Sequence, residues 1–203
     1  MCLTASGLDP AVAIFLAALA TLATGLAAGI VNGAFVAVTR VSPLIVTLGS
    51  MTAIQGIALM VSNGMPIYGL PKEFGGFFSL GRVFGVPVPV IGAVLVLIAT
   101  HILLSRTYLG RHIYAVGANP RAAHVSGVSV MRTTWITYAL TGLLTGVAAF
   151  LLVARVGSGE PNLGGNMPLT SIAAAVLGGV SLRGGEGSAL GAALGAVFIT
   201  LIM

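Results

Sequence analysis

The stretch AVAIFLAALATLATGLAAGIVNGAFVAV, residues 11–38, decides the fold of this chain. Its only polar residues are Thr21, Thr24 and Asn32. A helix needs about 20 apolar residues, at about 1.5 Å each, to cross roughly 30 Å of hydrocarbon. Because the run exceeds that length and carries no charge, it predicts a transmembrane helix.

The rest of the chain has the composition of a membrane protein. Of its 203 residues, 57% are hydrophobic and only 6% are charged, whereas about a quarter of the residues of a soluble domain are charged. So few charges cannot cover a water-soluble fold, which excludes a soluble enzyme, a nucleic-acid-binding domain and a disordered chain. We predict an all-α, polytopic integral membrane protein whose helical bundle forms a single transmembrane domain over residues 1–203.

Further apolar runs have the length of a span: residues 44–61, 89–104 and 134–154. A last apolar stretch begins at Pro168 and is interrupted by SLRGGEG, residues 181–187. The part before the interruption is short for a span, so two alternatives stay open. It forms a re-entrant helix, or it ends in a tight cytoplasmic turn that places Arg183 at the lipid headgroups.

Arginine predicts the orientation in the membrane. One polar segment, residues 105–132, holds Arg106, Arg111, Arg121 and Arg132, and no acidic residue occurs between Glu73 and Glu160. A short loop of this kind between spans lies in the cytoplasm. Alternating spans then place Arg40 on the inner side and residues 63–86 and 155–167 on the outer side.

The basic segment also predicts a short helix with defined ends. Asn119 is a favoured N-cap residue and Pro120 is favoured at the first helical position. Residues 121–126 suit about two turns, and Gly127 is placed to terminate them. This helix either lies passively at the membrane surface or docks a cytoplasmic partner, to which Ala122 and Ala123 would present a small, smooth face.

Polar groups inside the apolar runs are candidates for a solute pathway, because such groups are costly in a membrane. The candidates are Asn32, Thr47, Gln55, Thr137 and Thr141. Hydroxyls and amides bind a neutral polyol but supply no fixed charge for an ion. The alternative is that the hydroxyls bond to the preceding helical turn and help the helices pack.

Glycines four residues apart predict close contacts between helices. They occur in three sets: Gly25, Gly29 and Gly33; Gly142 and Gly146; Gly187, Gly191 and Gly195.

The chain offers no residues for chemistry of its own. It has one cysteine, Cys2, and no G-x-x-x-x-G-K-[ST] phosphate loop. His101, His112 and His124 lack further ligands at metal-binding spacing. We expect no enzyme activity, no metal and no bound cofactor.

Several motifs in the same order resemble one family. They are GIVNGAFVAV (29–38), SPLIVTLGSMTAIQGIAL (42–59), GRHIYAVGANPRAAHVSGV (110–128) and LTSIAAAVLGGVSLRGGEGSALG (169–191). Together they are similar to the ribose/xylose-type permeases of bacterial ABC sugar importers. Members are about half as long again, so the resemblance implies the central part of an ABC importer transmembrane domain.

The resemblance also implies a function and partners. The chain would be the inner-membrane permease of an ATP-driven monosaccharide importer. Its helix at 119–127, with Gly117, Asn119, Pro120, Arg121, Ala122, Ala123 and Gly127, would dock the ATP-binding subunit, which alone uses ATP. The assembly would also contain a second permease copy or paralogue and a periplasmic or extracellular sugar-binding protein. No nucleic acid is expected as a partner.

Two other functional classes remain open from the residues alone. An ion-coupled secondary transporter of a small neutral solute usually needs a carboxylate or an ion cage at mid-membrane depth. A passive channel or a structural membrane protein would need no motor subunit.

Overall fold

The computed structural model describes residues 9–39, 41–68, 72–78, 81–83 and 85–202. Cys2 and Arg40, on which two of the predictions above rest, lie outside these residues. The described part is mostly helical, which confirms the all-α membrane fold predicted from the composition.

The elements follow the order of the apolar runs. They are α1 (Pro10–Thr39), α2 (Pro43–Ser62), α3 (Lys72–Phe78), β1 (Arg82–Val83), β2 (Val86–Pro87), α4 (Val88–Arg106), α5 (Tyr108–Ala118), α6 (Pro120–Val125), α7 (Val130–Val156), α8 (Met167–Leu177) and α9 (Ala189–Ile202). The two strands are antiparallel, with Arg82 opposite Pro87 and Val83 opposite Val86.

Within the described residues, four helices are long and apolar enough to cross a membrane, namely α1, α2, α4 and α7, and they coincide with the four predicted spans. Two predicted loops contain more structure than expected. Residues 63–86 include α3 and the small hairpin, and residues 105–132 are mostly helical, because α5 precedes the predicted helix α6.

The chain forms two compact units. One consists of Met1–Gly92 with Tyr138–Leu163, and the other of Ala93–Thr137 with Gly164–Met203. Helix α7 therefore contributes residues to both.

In the first unit, α1 and α7 cross through glycines. A Cβ atom built on Gly25 would lie 2.5 Å from the carbonyl oxygen of Gly142, and one built on Gly142 would lie 2.8 Å from Cα of Gly29. A Cβ built on Gly146 would lie 3.2 Å from Cα of Leu22. The backbones themselves are in contact, as the spacing of these glycines predicts.

The segments that follow α2 and α7 meet in the same unit. Ile67 and Gly159 exchange two backbone hydrogen bonds, of 2.8 and 3.0 Å. The rings of Phe74 and Phe78 in α3 both meet the ring of Phe150, near the end of α7, edge-on. Their centroids lie 5.1 and 5.2 Å from that of Phe150. These contacts agree with a topology in which both segments lie on the same side of the membrane.

In the second unit, α8 and α9 form a tight hairpin. A Cβ on Gly191 would collide with the carbonyl oxygen of Gly178, and one on Gly195 with that of Ala174. Gly187, the third glycine of this predicted set, lies before α9, in the turn between the two helices. Helix α8 has 11 residues, a length of about 17 Å, so it is too short to cross the hydrocarbon alone.

The glycine crossing of α1 and α7 is tested by a leucine at its centre. Gly142→Leu should lower the free energy of unfolding by about 1–3 kcal/mol, because its side chain would have to displace the backbone of α1. Thermal unfolding of the detergent-solubilised chain measures this. Gly56→Leu is the matched control, since no described residue lies within 4 Å of a Cβ at that position. Equal melting temperatures for the two variants would contradict the crossing.

Candidate functional site

The short basic helix α6 begins as the sequence predicts. Asn119 is its N-cap and the one residue that separates it from α5. The Asn119 side-chain oxygen accepts hydrogen bonds from the backbone N–H groups of Arg121 and Ala122, at 3.0 and 3.1 Å. Pro120 follows at the first helical position. These contacts satisfy two of the backbone donors that a helix start leaves free.

The helix also ends at the predicted glycine. Gly127 has φ +83°, a conformation that glycine adopts without strain. Its N–H donates to the carbonyl oxygen of His124 at 3.0 Å, and the N–H of Val128 donates to that of Ala123 at 2.9 Å. This pair of bonds is the Schellman arrangement. Both ends of α6 are therefore fixed by its own sequence.

The exposed face of α6 differs from the predicted one. Arg121 and Ala122 are exposed, and Val125 is 87% exposed. Ala123, however, is only 4% exposed. A side chain this deeply buried cannot form part of a surface for a partner, so the expectation that Ala122 and Ala123 share such a face is corrected. Ala122 and Val125 are the small and apolar residues that a partner could touch.

Helix α5 was not predicted from the sequence, although Thr107 carries a signal for it. The Thr107 hydroxyl accepts a hydrogen bond from the N–H of Gly110 at 3.2 Å, which caps the helix. A Cβ on Gly110 would collide with the carbonyl oxygen of Leu104. The first turn of α5 therefore lies directly against the last turns of α4.

The arginines of the basic segment are all exposed: Arg106, Arg111, Arg121 and Arg132. The Arg111 guanidinium lies over the Tyr108 ring, 4.4 Å from its centroid. The segment therefore presents a positively charged surface that carries α6.

Gly117, near the end of α5, packs against the turn formed by residues 181–187. A Cβ on Gly117 would lie 2.7 Å from the backbone nitrogen of Gly185. The Tyr114 hydroxyl donates to the carbonyl oxygen of Gly187 at 2.8 Å. The turn is thus held beside α5 and α6.

A second candidate site is a groove in the first unit between α1, α2 and α7. Its volume is about 960 Å³, and most of its lining is apolar. Asn32 lines it, and the buried side-chain oxygen of Asn32 accepts no hydrogen bond from any described residue. A buried acceptor without a donor costs about 1–3 kcal/mol. Asn32 therefore brings an amide to the groove, although its oxygen without a donor is itself buried.

The other predicted pathway residues do not line this groove. The Thr47 hydroxyl donates to the carbonyl oxygen of Pro43 at 3.0 Å. The Thr137 hydroxyl donates to the carbonyl oxygen of Thr133 at 2.8 Å. Gln55 donates to the side-chain oxygen of Asn162 at 2.8 Å. Thr141 lies further along α7, where its carbonyl oxygen accepts from the hydroxyl of Thr145. Bonding to the preceding turn, the alternative raised by the sequence, accounts for the Thr47 and Thr137 hydroxyls.

Other hydroxyls, which were not among the predicted pathway candidates, do line the groove. They belong to Thr21, Thr24, Ser50 and Thr145. Each donates to its own helix, as Ser50 does to the carbonyl oxygen of Thr47 at 3.0 Å. A hydroxyl that donates in this way keeps lone pairs that accept a hydrogen bond from a ligand.

The whole chain, residues 1–203, matches the family described as "Branched-chain amino acid transport system / permease component". The chain belongs to this family. The assignment confirms the resemblance to ABC importer permeases seen in the sequence, and with the long apolar helices it makes the chain a multi-pass membrane protein.

Curated members of the permease family are similar over most of the chain. The ribose import permease protein RbsC of Escherichia coli (strain K12) is 40% identical over 183 residues, which are 89% of this chain and 57% of RbsC. RbsC of Bacillus subtilis (strain 168) is 38% identical over 195 residues, 96% of this chain and 59% of that protein.

The autoinducer 2 import system permease protein LsrD of Escherichia coli (strain K12 / DH10B) is 38% identical over 191 residues, 91% of this chain and 57% of LsrD. The chain thus spans little more than half the length of these relatives. No solved structure gives a significant match.

The burial of Ala123 leads to a prediction that separates folding from docking. Ala123→Asp should lower the melting temperature of the purified chain, because a carboxylate at this position loses its hydration. Ala122→Asp should leave the melting temperature unchanged, since Ala122 is exposed and an acidic residue suits the first turn of a helix. Circular dichroism during heating measures both variants. If they melt together, Ala123 is not buried as described.

Proposed function

We propose that this chain is part of the permease subunit of an ATP-driven ABC importer in the inner membrane of a bacterium, and that the importer carries a monosaccharide such as ribose. The observation that carries the proposal is α6, a rigidly capped and exposed basic helix between two spans of a chain that belongs to an importer permease family. The chain itself would be non-catalytic.

The groove supports a neutral solute. Among the described residues, no charged side chain lines it, and its polar groups are the amide of Asn32 and several hydroxyls. A zwitterionic amino acid, the cargo in the family's description, would lose the hydration of two charges there without compensation. A sugar needs only donors and acceptors of hydrogen bonds. The names of RbsC and LsrD, which refer to ribose and autoinducer 2, agree with small solutes other than amino acids.

The exposed surface of α6 supports an ATP-binding partner. The chain has no phosphate loop of its own, so the energy of ATP must reach it through a contact with another subunit. Ala122 and Val125 are exposed on α6, with Arg121 and His124 beside them. An apolar patch within a charged surface is typical of a specific protein contact.

The complete importer would contain further partners. A second permease copy or a paralogue would form the passage with this subunit, and an exported sugar-binding protein would deliver the solute. Closure of the ATP-binding subunits would move α6, and the membrane helices would change between inward-open and outward-open states. Transport requires that ATP favours one of these states, not that the permease binds its solute tightly.

The turn at 181–187 would lie in the cytoplasm. Its contact with Gly117 places it beside the basic segment, which the positive-inside rule assigns to the cytoplasmic side. This supports the tight cytoplasmic turn, with Arg183 exposed at the membrane surface, over a re-entrant helix that turns within the bilayer. Because α8 covers only about 17 Å, the residues on either side of it would have to cover the remaining depth of the bilayer.

Docking through α6 is tested by a charge on its exposed face. Ala122→Asp should reduce ATP-dependent uptake of radiolabelled ribose by the reconstituted importer at least about tenfold, because a carboxylate placed in an apolar contact loses hydration. Co-purification of the ATP-binding subunit should fall in parallel. Met65→Asp, a change at an exposed residue of the predicted outer side, should alter neither. Normal uptake by Ala122→Asp would overturn the docking assignment.

The role of Asn32 is tested by opposing effects on stability and uptake. Asn32→Leu removes a buried oxygen without a donor, so the melting temperature should stay the same or rise. Ribose uptake should fall several-fold, because the groove loses the amide of Asn32. Thr47→Ala serves as the control and should change neither quantity, since the Thr47 hydroxyl bonds to its own helix and does not line the groove. A variant Asn32→Leu that is destabilised and transports normally would assign the amide to packing.

A further inference from the structure

The 181–187 turn is held to the end of α5 by backbone contacts. A Cβ on Gly117 would lie 2.7 Å from the nitrogen of Gly185. A Cβ on Gly184 would lie 2.6 Å from the carbonyl oxygen of Gly117, and one on Gly185 would lie 2.6 Å from Cα of Ala118. Main chain therefore rests directly on main chain.

One side-chain hydrogen bond fixes the orientation of this contact. The hydroxyl of Tyr114 donates to the carbonyl oxygen of Gly187 at 2.8 Å and joins residues 73 positions apart. Tyr114 is partly buried, so water competes less for this bond than at an exposed site. We call Tyr114, Gly117 and Ala118 with Gly184, Gly185 and Gly187 the α5–turn contact.

Backbone hydrogen bonds close the turn, and the turn joins two closely packed helices. The N–H of Ser181 donates to the carbonyl oxygen of Glu186 at 3.0 Å, and that of Gly184 to Ser181 at 3.1 Å. Gly184 and Gly185 have φ +90° and +78°, so a side chain at either position would strain the backbone. At both ends of the turn the chain enters α8 and α9, whose backbones touch at Gly178 and Gly191.

On the other side, the contact is adjacent to α6. Ala118 is the last residue of α5, and only the extended residue Asn119, with φ −155° and ψ 100°, separates it from Pro120. The end of α5, on which the turn rests, is thus directly joined to α6.

We propose that the α5–turn contact transmits the displacement of α6 to the α8–α9 hairpin. Tyr114 is the positioning residue that makes the hairpin move together with α6. The inference rests on the function proposed above, in which α6 receives the motion of an ATP-binding subunit. Without the contact, α6 would move while the hairpin lagged behind, and ATP would be hydrolysed without transport.

The test is the number of ribose molecules imported per ATP hydrolysed, measured in proteoliposomes with the importer that contains this chain. Tyr114→Phe deletes one hydroxyl and should lower this ratio about fivefold, the factor expected when one neutral hydrogen bond is lost from an equilibrium. Its unstimulated ATP hydrolysis should stay unchanged, because docking through α6 is intact. A role in stability alone would lower both activities together and leave the ratio constant.

Tyr108→Phe is the matched control. It makes the same change on the same helix, at a tyrosine that is 77% exposed and whose ring, not its hydroxyl, meets Arg111. The ratio should equal that of the unaltered importer. An unchanged ratio in Tyr114→Phe would overturn the inference, as would a failure of Tyr114→Phe to assemble while Tyr108→Phe assembles. If the unaltered importer takes up neither ribose nor any other labelled pentose or hexose, the proposed function itself fails.

Discussion

Helices in a bilayer gain little from hydrophobic burial, because lipid tails are as apolar as the side chains that leave them. They associate where their backbones come close enough for dispersion contacts to accumulate, and only glycine allows the closest approach. Both units of this chain depend on that constraint. Gly25 and Gly29 meet Gly142 in the first unit, and Gly178 meets Gly191 in the second. At each of these places a single methyl group would strike the main chain of the neighbouring helix.

The same kind of contact links the membrane helices of the second unit to its basic segment. Gly117 meets Gly184 and Gly185 as closely as the membrane glycines meet each other. Helix α6 adds rigidity of its own, because Asn119 caps its start and Gly127 ends it. A helix of 6 residues has little stability alone, so these caps and the burial of Ala123 are what preserve its shape.

Much of this arrangement could be predicted from the sequence. Length and hydropathy located the four long helices, and the preferences of Asn, Pro and Gly for helix ends located α6, because these signals are local. Helix α5 was missed, since its polar residues suggested a loop and its cap at Thr107 is a single residue. The partners of the glycines could not be derived, because spacing identifies a contact face but not the helix that meets it.

The partners of the predicted solute-pathway residues could not be derived from the sequence either. Thr47 and Thr137 resemble Asn32 in sequence, since each is a polar residue within an apolar run. Only the structure shows that the two hydroxyls bond to their own helices, whereas the oxygen of Asn32 lacks a donor among the described residues. The burial of Ala123 likewise follows from packing between α6 and its surroundings, which no pattern within α6 encodes.

In the proposed importer, the segment that carries α6 would lie in the cytoplasm, on the side opposite to the segment that follows α2. Single cysteines at Val125 and Met65, which are 87% and 69% exposed, test it in a chain whose native cysteine is replaced by Cys2→Ser. A membrane-impermeant maleimide applied to intact bacterial cells with a permeabilised outer membrane should label Met65→Cys, and it should label Val125→Cys only after the inner membrane is opened. Labelling of Val125→Cys in intact cells would contradict the account.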